Sequence, residues 1–189
     1  MKILVVVDLQ NDFVSGCLGN EECKAAADAA VKVIRDGGYN HVFVTKDTHF
    51  ENYLNTQEGR NLPVVHCIRG SEGWELCPQV KAALENSYAK EAVTVLEKPT
   101  FGSQKLGEAM QTLCNEIGTE AGKNVTVDFV GVCTGICVIS NVFVVKAFCP
   151  EAKLRVIEKA CACVTKESHK TAIEAMKLCQ TEIIGTIEA

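Results

Sequence analysis

A chain of 189 residues is long enough to fold as one domain with a substantial core. Its formal charge of −5, with no Lys/Arg run and no basic stretch interleaved with aromatics, argues against a nucleic-acid partner. The apolar N-terminal run stops at Asp8, too short for a signal peptide or membrane span, and the 11 cysteines, odd in number and without a CxxC pair, read as reduced thiols in a cytoplasmic protein.

In chain order, residues 3–7 are almost continuously apolar, the pattern of a strand buried on both faces. Residues 22–35 place Ala25, Ala26, Ala29, Ala30, Val33 and Ile34 at helical spacing and stop at Gly37-Gly38. A strand is expected at 41–44. From Lys46 to Cys77 no convincing period is found, and a loop of that length in a compact domain is functional or disordered. A helix at 78–87 opens on Pro78, which suits a first-turn position. There follow a strand at 92–96, a helix at 103–117, a strand at 125–130, a helix at 135–147, a strand at 154–157, a helix at 168–179 and a short strand at 182–184. This alternation, without repeats or linkers, predicts a single domain over 1–189 of the α/β class, three layers with a parallel sheet between helices.

In such sheets ligands bind beyond the carboxyl ends of the strands. Asp8 ends the first strand, Asp47 and His49 follow the second, Lys98 follows the third, and Cys137 follows the fourth. Each residue alone has an ordinary reading: a turn aspartate, a surface lysine, a small buried cysteine. Together they offer a carboxylate base, a cation and a nucleophile. Cys137 is expected at a helix N-terminus, where unpaired N–H groups and the macrodipole favour thiolate. Cys17, Cys23, Cys67, Cys77, Cys114, Cys149, Cys161, Cys163 and Cys179 read as structural or incidental, as do His41 and His169.

The long loop adds Asp47-Thr48-His49, a later His66, and Glu58 between them. Mixed nitrogen and oxygen ligands suit Zn²⁺, Fe²⁺ or Mn²⁺, and a turn aspartate with a helper histidine is the plainer alternative.

The segments Val7-Asp8-Leu9-Gln10-Asn11-Asp12-Phe13, Thr45-Lys46-Asp47-Thr48-His49, Glu97-Lys98-Pro99-Thr100-Phe101 and Gly131-Val132-Cys133-Thr134-Gly135-Ile136-Cys137-Val138, in that order, resemble the isochorismatase-like cysteine hydrolases, and among them the nicotinamidases. The resemblance covers nearly the whole chain. It implies a six-stranded parallel sheet and hydrolysis of nicotinamide to nicotinate and ammonia through a thioester, in NAD salvage. Cys137 is then the nucleophile, Asp8 the general base and later acid, and Lys98 the neighbouring cation. A non-proline cis peptide is implied between Val132 and Cys133, with the N–H groups of Cys133 and Cys137 turned toward an oxyanion. Asp47, His49 and His66 match the metal ligands, Glu58 falls where the fourth ligand varies, and Phe13 walls the ring pocket. One divalent ion, Zn²⁺ before Fe²⁺ or Mn²⁺, is the implied cofactor, and a homo-oligomer the implied assembly.

Three features depart from the family pattern. Gly135 stands where members carry Asp, Asn61-Leu62-Pro63-Val64-Val65 lacks the aromatic that precedes the last metal histidine, and the stretch after Lys98 is compact. The alternatives are therefore a related hydrolase acting on another small amide or an N-carbamoyl compound, or a non-catalytic metal- or small-molecule-binding protein.

Overall fold

The computed structural model describes residues 1–185; residues 186–189, which end the expected domain, lie outside the described residues. The chain runs β1 (Lys2–Val7), α1 (Asn11–Val14), α2 (Glu21–Asp36), β2 (His41–Asp47), α3 (Gln57–Asn61), α4 (Pro78–Ser87), β3 (Val93–Lys98), α5 (Gln104–Glu116), β4 (Thr126–Val132), α6 (Ile139–Phe148), β5 (Lys153–Ala162), α7 (Lys166–Leu178) and β6 (Glu182–Ile184). The strands form one six-stranded sheet in the order β3-β2-β1-β4-β5-β6, and every neighbouring pair is parallel. This is the three-layer α/β architecture expected from the sequence.

Alternation along the strands divides the core between the two faces of the sheet. Ile3, Val5, Val7, Val127 and Phe129 meet Leu106, Met110, Val142, Val145, Ile173 and Met176 of α5, α6 and α7. Leu4, Val6, Val42, Val44 and Val130 meet Ala26, Ala30, Ile34, Val80 and Leu84 of α2 and α4. The helices begin where the sequence supplies caps. Asn20 accepts from the Cys23 N–H, Ser103 from the Leu106 N–H, and Thr165 closes a capping box with Ser168.

Two strands run further than their apolar residues suggest. β2 continues to Asp47 because Thr45, Lys46 and Asp47 pair with Leu96, Glu97 and Lys98. β5 reaches Ala162 because, after a register shift between Phe129 and Gly131, Cys161 and Ala162 resume pairing with β4. Gly131 is required here: its φ is +127°, and a Cβ would lie 2.0 Å from the Val7 carbonyl oxygen. The missing side chain lets β4 lie against the end of β1. Strand order reverses between these two strands, the usual place for a ligand crevice in open parallel sheets.

Candidate active site

Asp8 leaves β1 with a left-handed φ of 50°, a conformation uncommon for a residue with a side chain and recurrent at functional sites. Its carboxylate is fully buried. Oδ1 accepts a 2.7 Å hydrogen bond from the Thr45 hydroxyl on β2, and Oδ2 lies 2.7 Å from the Lys98 ammonium at the end of β3. The same ammonium is 3.5 Å from Cys137 Sγ and 3.3 Å from Asp47 Oδ1. The structure thus brings the three residues that the sequence places on separate strand ends into contact around one cation.

Burial and charge set the protonation of this group. Burial raises the Asp8 pKa, Lys98 opposes that, and the carboxyl stays above its ordinary value. Burial alone would lower Lys98, but the carboxylates of Asp8 and Asp47 hold it above the usual lysine value, so it remains an ammonium. Burial pushes the Cys137 thiol well above the ordinary thiol range, with Lys98 only partly offsetting it. At rest Cys137 is therefore a thiol, not the thiolate that a helix N-terminus alone favours.

The local backbone differs from expectation too. Cys137 does not open α6 but sits inside a wide π-helical turn, Thr134–Val138, that precedes it. Such turns recur at functional sites. The Cys133 carbonyl accepts the Ile136 and Val138 N–H groups, and the Val132–Cys133 peptide is cis. Asn141, buried in α6, donates to the Cys137 carbonyl at 2.8 Å and to the Phe101 carbonyl at 3.2 Å, and accepts from the Ser103 N–H at 2.9 Å. It ties the turn to the segment following Lys98. Thr134 contacts His169 Nδ1 at 2.9 Å, and His169 Nε2 lies 3.4 Å from Glu158.

Beside this group, Asp47, His49, Glu58 and His66 each offer a ligand atom, all within 4.8 Å of one another. Helix α3 supplies Glu58, and the loop after it supplies His66. His66 Nδ1 donates to the Val64 carbonyl at 2.7 Å, which turns Nε2 toward Asp47 Oδ2 at 3.6 Å. His49 Nε2 is buried and has no hydrogen-bond partner among the described residues, although it lies 3.0 Å from Asp47 Oδ2 and 3.6 Å from Glu58 Oε1. An orphaned buried imidazole nitrogen facing two carboxylates fits a divalent ion well. Burial raises the Asp47 pKa, but the facing imidazoles of His49 and His66, with the Lys98 ammonium, outweigh it and hold the carboxyl below its usual range. Burial lowers His66, yet the facing Asp47 carboxylate and its bond to the Val64 carbonyl carry it above the ordinary imidazole value. Burial and the charge of Asp47 raise Glu58.

Phe13 packs edge-on to the His66 ring, with centroids 5.4 Å apart. Tyr53, almost wholly buried, packs on both histidines at 4.5 and 5.0 Å and donates to the Leu62 carbonyl. Gln10 is a second residue the sequence reading missed. Its side-chain oxygen accepts from the Asp47 N–H at 2.7 Å, and its nitrogen donates to the Asp47 and Trp74 carbonyls at 2.8 and 2.9 Å. The signal was present: a glutamine three residues beyond a buried strand cannot stay buried without partners. Among the described residues no helix is long and apolar enough to cross a membrane.

A family model described as the isochorismatase domain matches residues 2–188. The nicotinamidase/pyrazinamidase of Mycobacterium tuberculosis is 26% identical over 193 residues, 97% of this chain and 98% of that protein. The crystal structure of pyrazinamidase/nicotinamidase from Streptococcus mutans UA159 superposes with a TM-score of 0.79 at 22% identity, covering 97% of this chain and 100% of that one. Pyrazinamidase of Pyrococcus horikoshii, solved in complex with zinc, superposes with a TM-score of 0.75 at 21% identity, covering 98% and 99% of the two chains. With a family match that spans the sheet, its helices and every strand end at the site, this chain belongs to the isochorismatase family.

Proposed function

We propose that this isochorismatase-family hydrolase cleaves nicotinamide to nicotinate and ammonia through a thioester on Cys137, in NAD salvage. The observation that carries the reading is the buried contact of Lys98 with both Asp8 and Cys137, at 2.7 and 3.5 Å. A buried thiol must lose its proton as it attacks, because desolvation disfavours the free thiolate. Asp8, its carboxyl raised toward neutrality, takes that proton as sulfur adds to the carboxamide carbon, and returns it to the departing ammonia. Lys98 stabilises the anionic charge shared by Asp8 and sulfur through the transfer. The N–H groups of Cys133 and Cys137 are assigned to the developing oxyanion. Water then cleaves the thioester, with Asp8 again as base. Phe13 is assigned to the wall against the substrate ring.

Asp47, His49, His66 and Glu58 are the residues that would hold the divalent ion, Zn²⁺ before Fe²⁺ or Mn²⁺. When bound, such an ion supplies a Lewis acid and lowers the pKa of water in its coordination sphere.

The test is ammonia release from nicotinamide by purified protein supplied with Zn²⁺, Fe²⁺ or Mn²⁺, beside a Cys137→Ala control and an N-carbamoyl amine as competing substrate. Metal-dependent release, lost in the control, supports the reading. Release from the N-carbamoyl compound alone reassigns the substrate, and undiminished release by Cys137→Ala sinks the mechanism.

A further inference from the structure

Cys133 and Cys163 meet beneath the turn that carries Cys137, at a point the amide chemistry does not use for its thiols. Cys133 follows β4 and Cys163 follows β5, and the strands pair in parallel with Val132 beside Ala162. The next residues are therefore neighbours across the sheet. Adjacent strands lie about 4.8 Å apart, inside the roughly 4.4–6.8 Å Cα separation that a disulfide spans. The two sulfurs are 2.6 Å apart. The Cys114–Cys149 contact, by comparison, is an ordinary one at 3.8 Å. Cys163 is almost fully buried, whereas Cys133 is only half-buried and opens the pair to solvent.

The pair is wired to the nucleophile's turn from both sides. The Cys133 carbonyl accepts the Ile136 and Val138 N–H groups that flank Cys137. Cys163 Sγ accepts the Gly135 N–H at 3.4 Å, and Asn20 donates to the Cys163 carbonyl at 3.2 Å.

We infer that Cys133 and Cys163 form a reversible disulfide that acts as a redox switch on the turn holding Cys137, with peroxides as the oxidant. A thiolate of the pair attacks the peroxide O–O bond, becoming a sulfenic acid as hydroxide leaves and takes up a proton. The other thiol attacks that sulfur, the S–S bond forms, and the sulfenic oxygen leaves as water. Two thiols and one hydrogen peroxide thus give one disulfide and two waters, each sulfur losing one electron. The Cys133 S–H, together with Ser168 and the Gly135 and Val164 N–H groups, holds Cys163 down at about 5, against the opposing effect of burial. Cys137 and Cys161, by contrast, are pushed up by burial. The hydrogen bond to Cys163 and burial keep Cys133 a thiol, so the thiolate character of Cys163 selects this pair over the nucleophile for oxidation. Joining the sulfurs removes the anionic acceptor from the Gly135 N–H and pulls on the residue that roots the turn, which lowers turnover.

The experiment treats reduced, metal-loaded full-length protein with hydrogen peroxide, quenches with an alkylating agent and maps the peptides. A Cys133–Cys163 cross-link that a dithiol reverses is expected. Recovery of both as alkylated thiols while Cys137 is oxidised overturns the inference. The second arm rests on the proposed amide hydrolysis. Peroxide inactivation, each protein measured against its own reduced rate, should be dithiol-reversible and slower by at least about tenfold in Cys163→Ala and Cys163→Ser, since the faster-reacting thiolate is gone. Inactivation at the wild-type rate in both variants overturns the switch. Should nicotinamide not be turned over at all, the proposed function fails and the peptide map still decides the disulfide.

Discussion

The Lys98 ammonium and the Asp8 carboxylate meet at 2.7 Å with both side chains withdrawn from water. Among the described residues neither charge has another full counter-charge to turn to, apart from the share of Lys98 that Asp47 takes at 3.3 Å. Removing the cation by Lys98→Ala leaves two buried carboxylates facing each other, a loss of about 3–5 kcal/mol of stability. Denaturant unfolding should show it as a lower midpoint, with ammonia release falling at the same time. A Lys98→Ala protein as stable and active as wild type would mean that this ion pair organises nothing.

The pH dependence follows from the same burial. The Asp8 pKa is raised chiefly by desolvation, and the proposed base must be ionised to accept the thiol proton. kcat/KM should therefore decline as pH falls through that raised value, placing the acid limb above the ordinary aspartate value of about 3.9. Asp8→Asn should reduce turnover by on the order of 10²–10⁴ and abolish the limb. A profile that stays flat down to about pH 4 contradicts the assignment of Asp8 as base.

At the proposed metal site, proton and metal should compete for His66. The facing Asp47 carboxylate and the bond to the Val64 carbonyl hold its pKa above the ordinary imidazole value in the metal-free protein. A metal ligand must be neutral, so occupancy should begin to fall at a pH above about 6.5. His66→Ala should cost more than about 100-fold in affinity, beyond what outer partners of a ligand cost. Glu58→Ala, which removes the most exposed member of the cluster, should weaken binding without abolishing it. Metal content after dialysis across a pH series measures all three, and unchanged content in His66→Ala removes it from the ligand set.

Gln10 carries a prediction about support rather than chemistry. Gln10→Ala leaves the buried Asp47 N–H without its 2.7 Å acceptor, a cost of about 1–3 kcal/mol. Gln10→Glu keeps that acceptor but sets an oxygen against the Asp47 carbonyl that the amide nitrogen now serves. Both should lower the melting temperature and loosen metal binding together; a lowered melting temperature with intact metal affinity would confine Gln10 to the fold.

Fold and site were legible to different depths. Strands such as 3–7 declare themselves because burial on both faces leaves no room for polar residues. The polar tail of β2 did not, since Lys46 and Asp47 are in the sheet through pairing with Glu97 and Lys98, a partner choice that no local period records. Asp8, Lys98 and Cys137 could be gathered from topology alone, because parallel strands deliver their ends to one edge. The protonation of Cys137 could not, since it depends on how completely neighbours exclude water. Tyr53 and Cys163 escaped for a similar reason: an aromatic in an aperiodic loop and a cysteine after a strand acquire meaning only from what packs against them.

Among the described residues β3 has a single neighbour in the sheet, and most of its residues are half exposed. Yet its last residue is Lys98, the cation at the centre of the candidate site. An outer strand with one ladder opens by local fluctuation at lower cost than the strands flanked on both sides. When it frays, the ammonium withdraws while β1, β4 and β5 remain paired. Competence and folding therefore have separate thresholds in this molecule, and mild denaturant should silence it well before its helices melt.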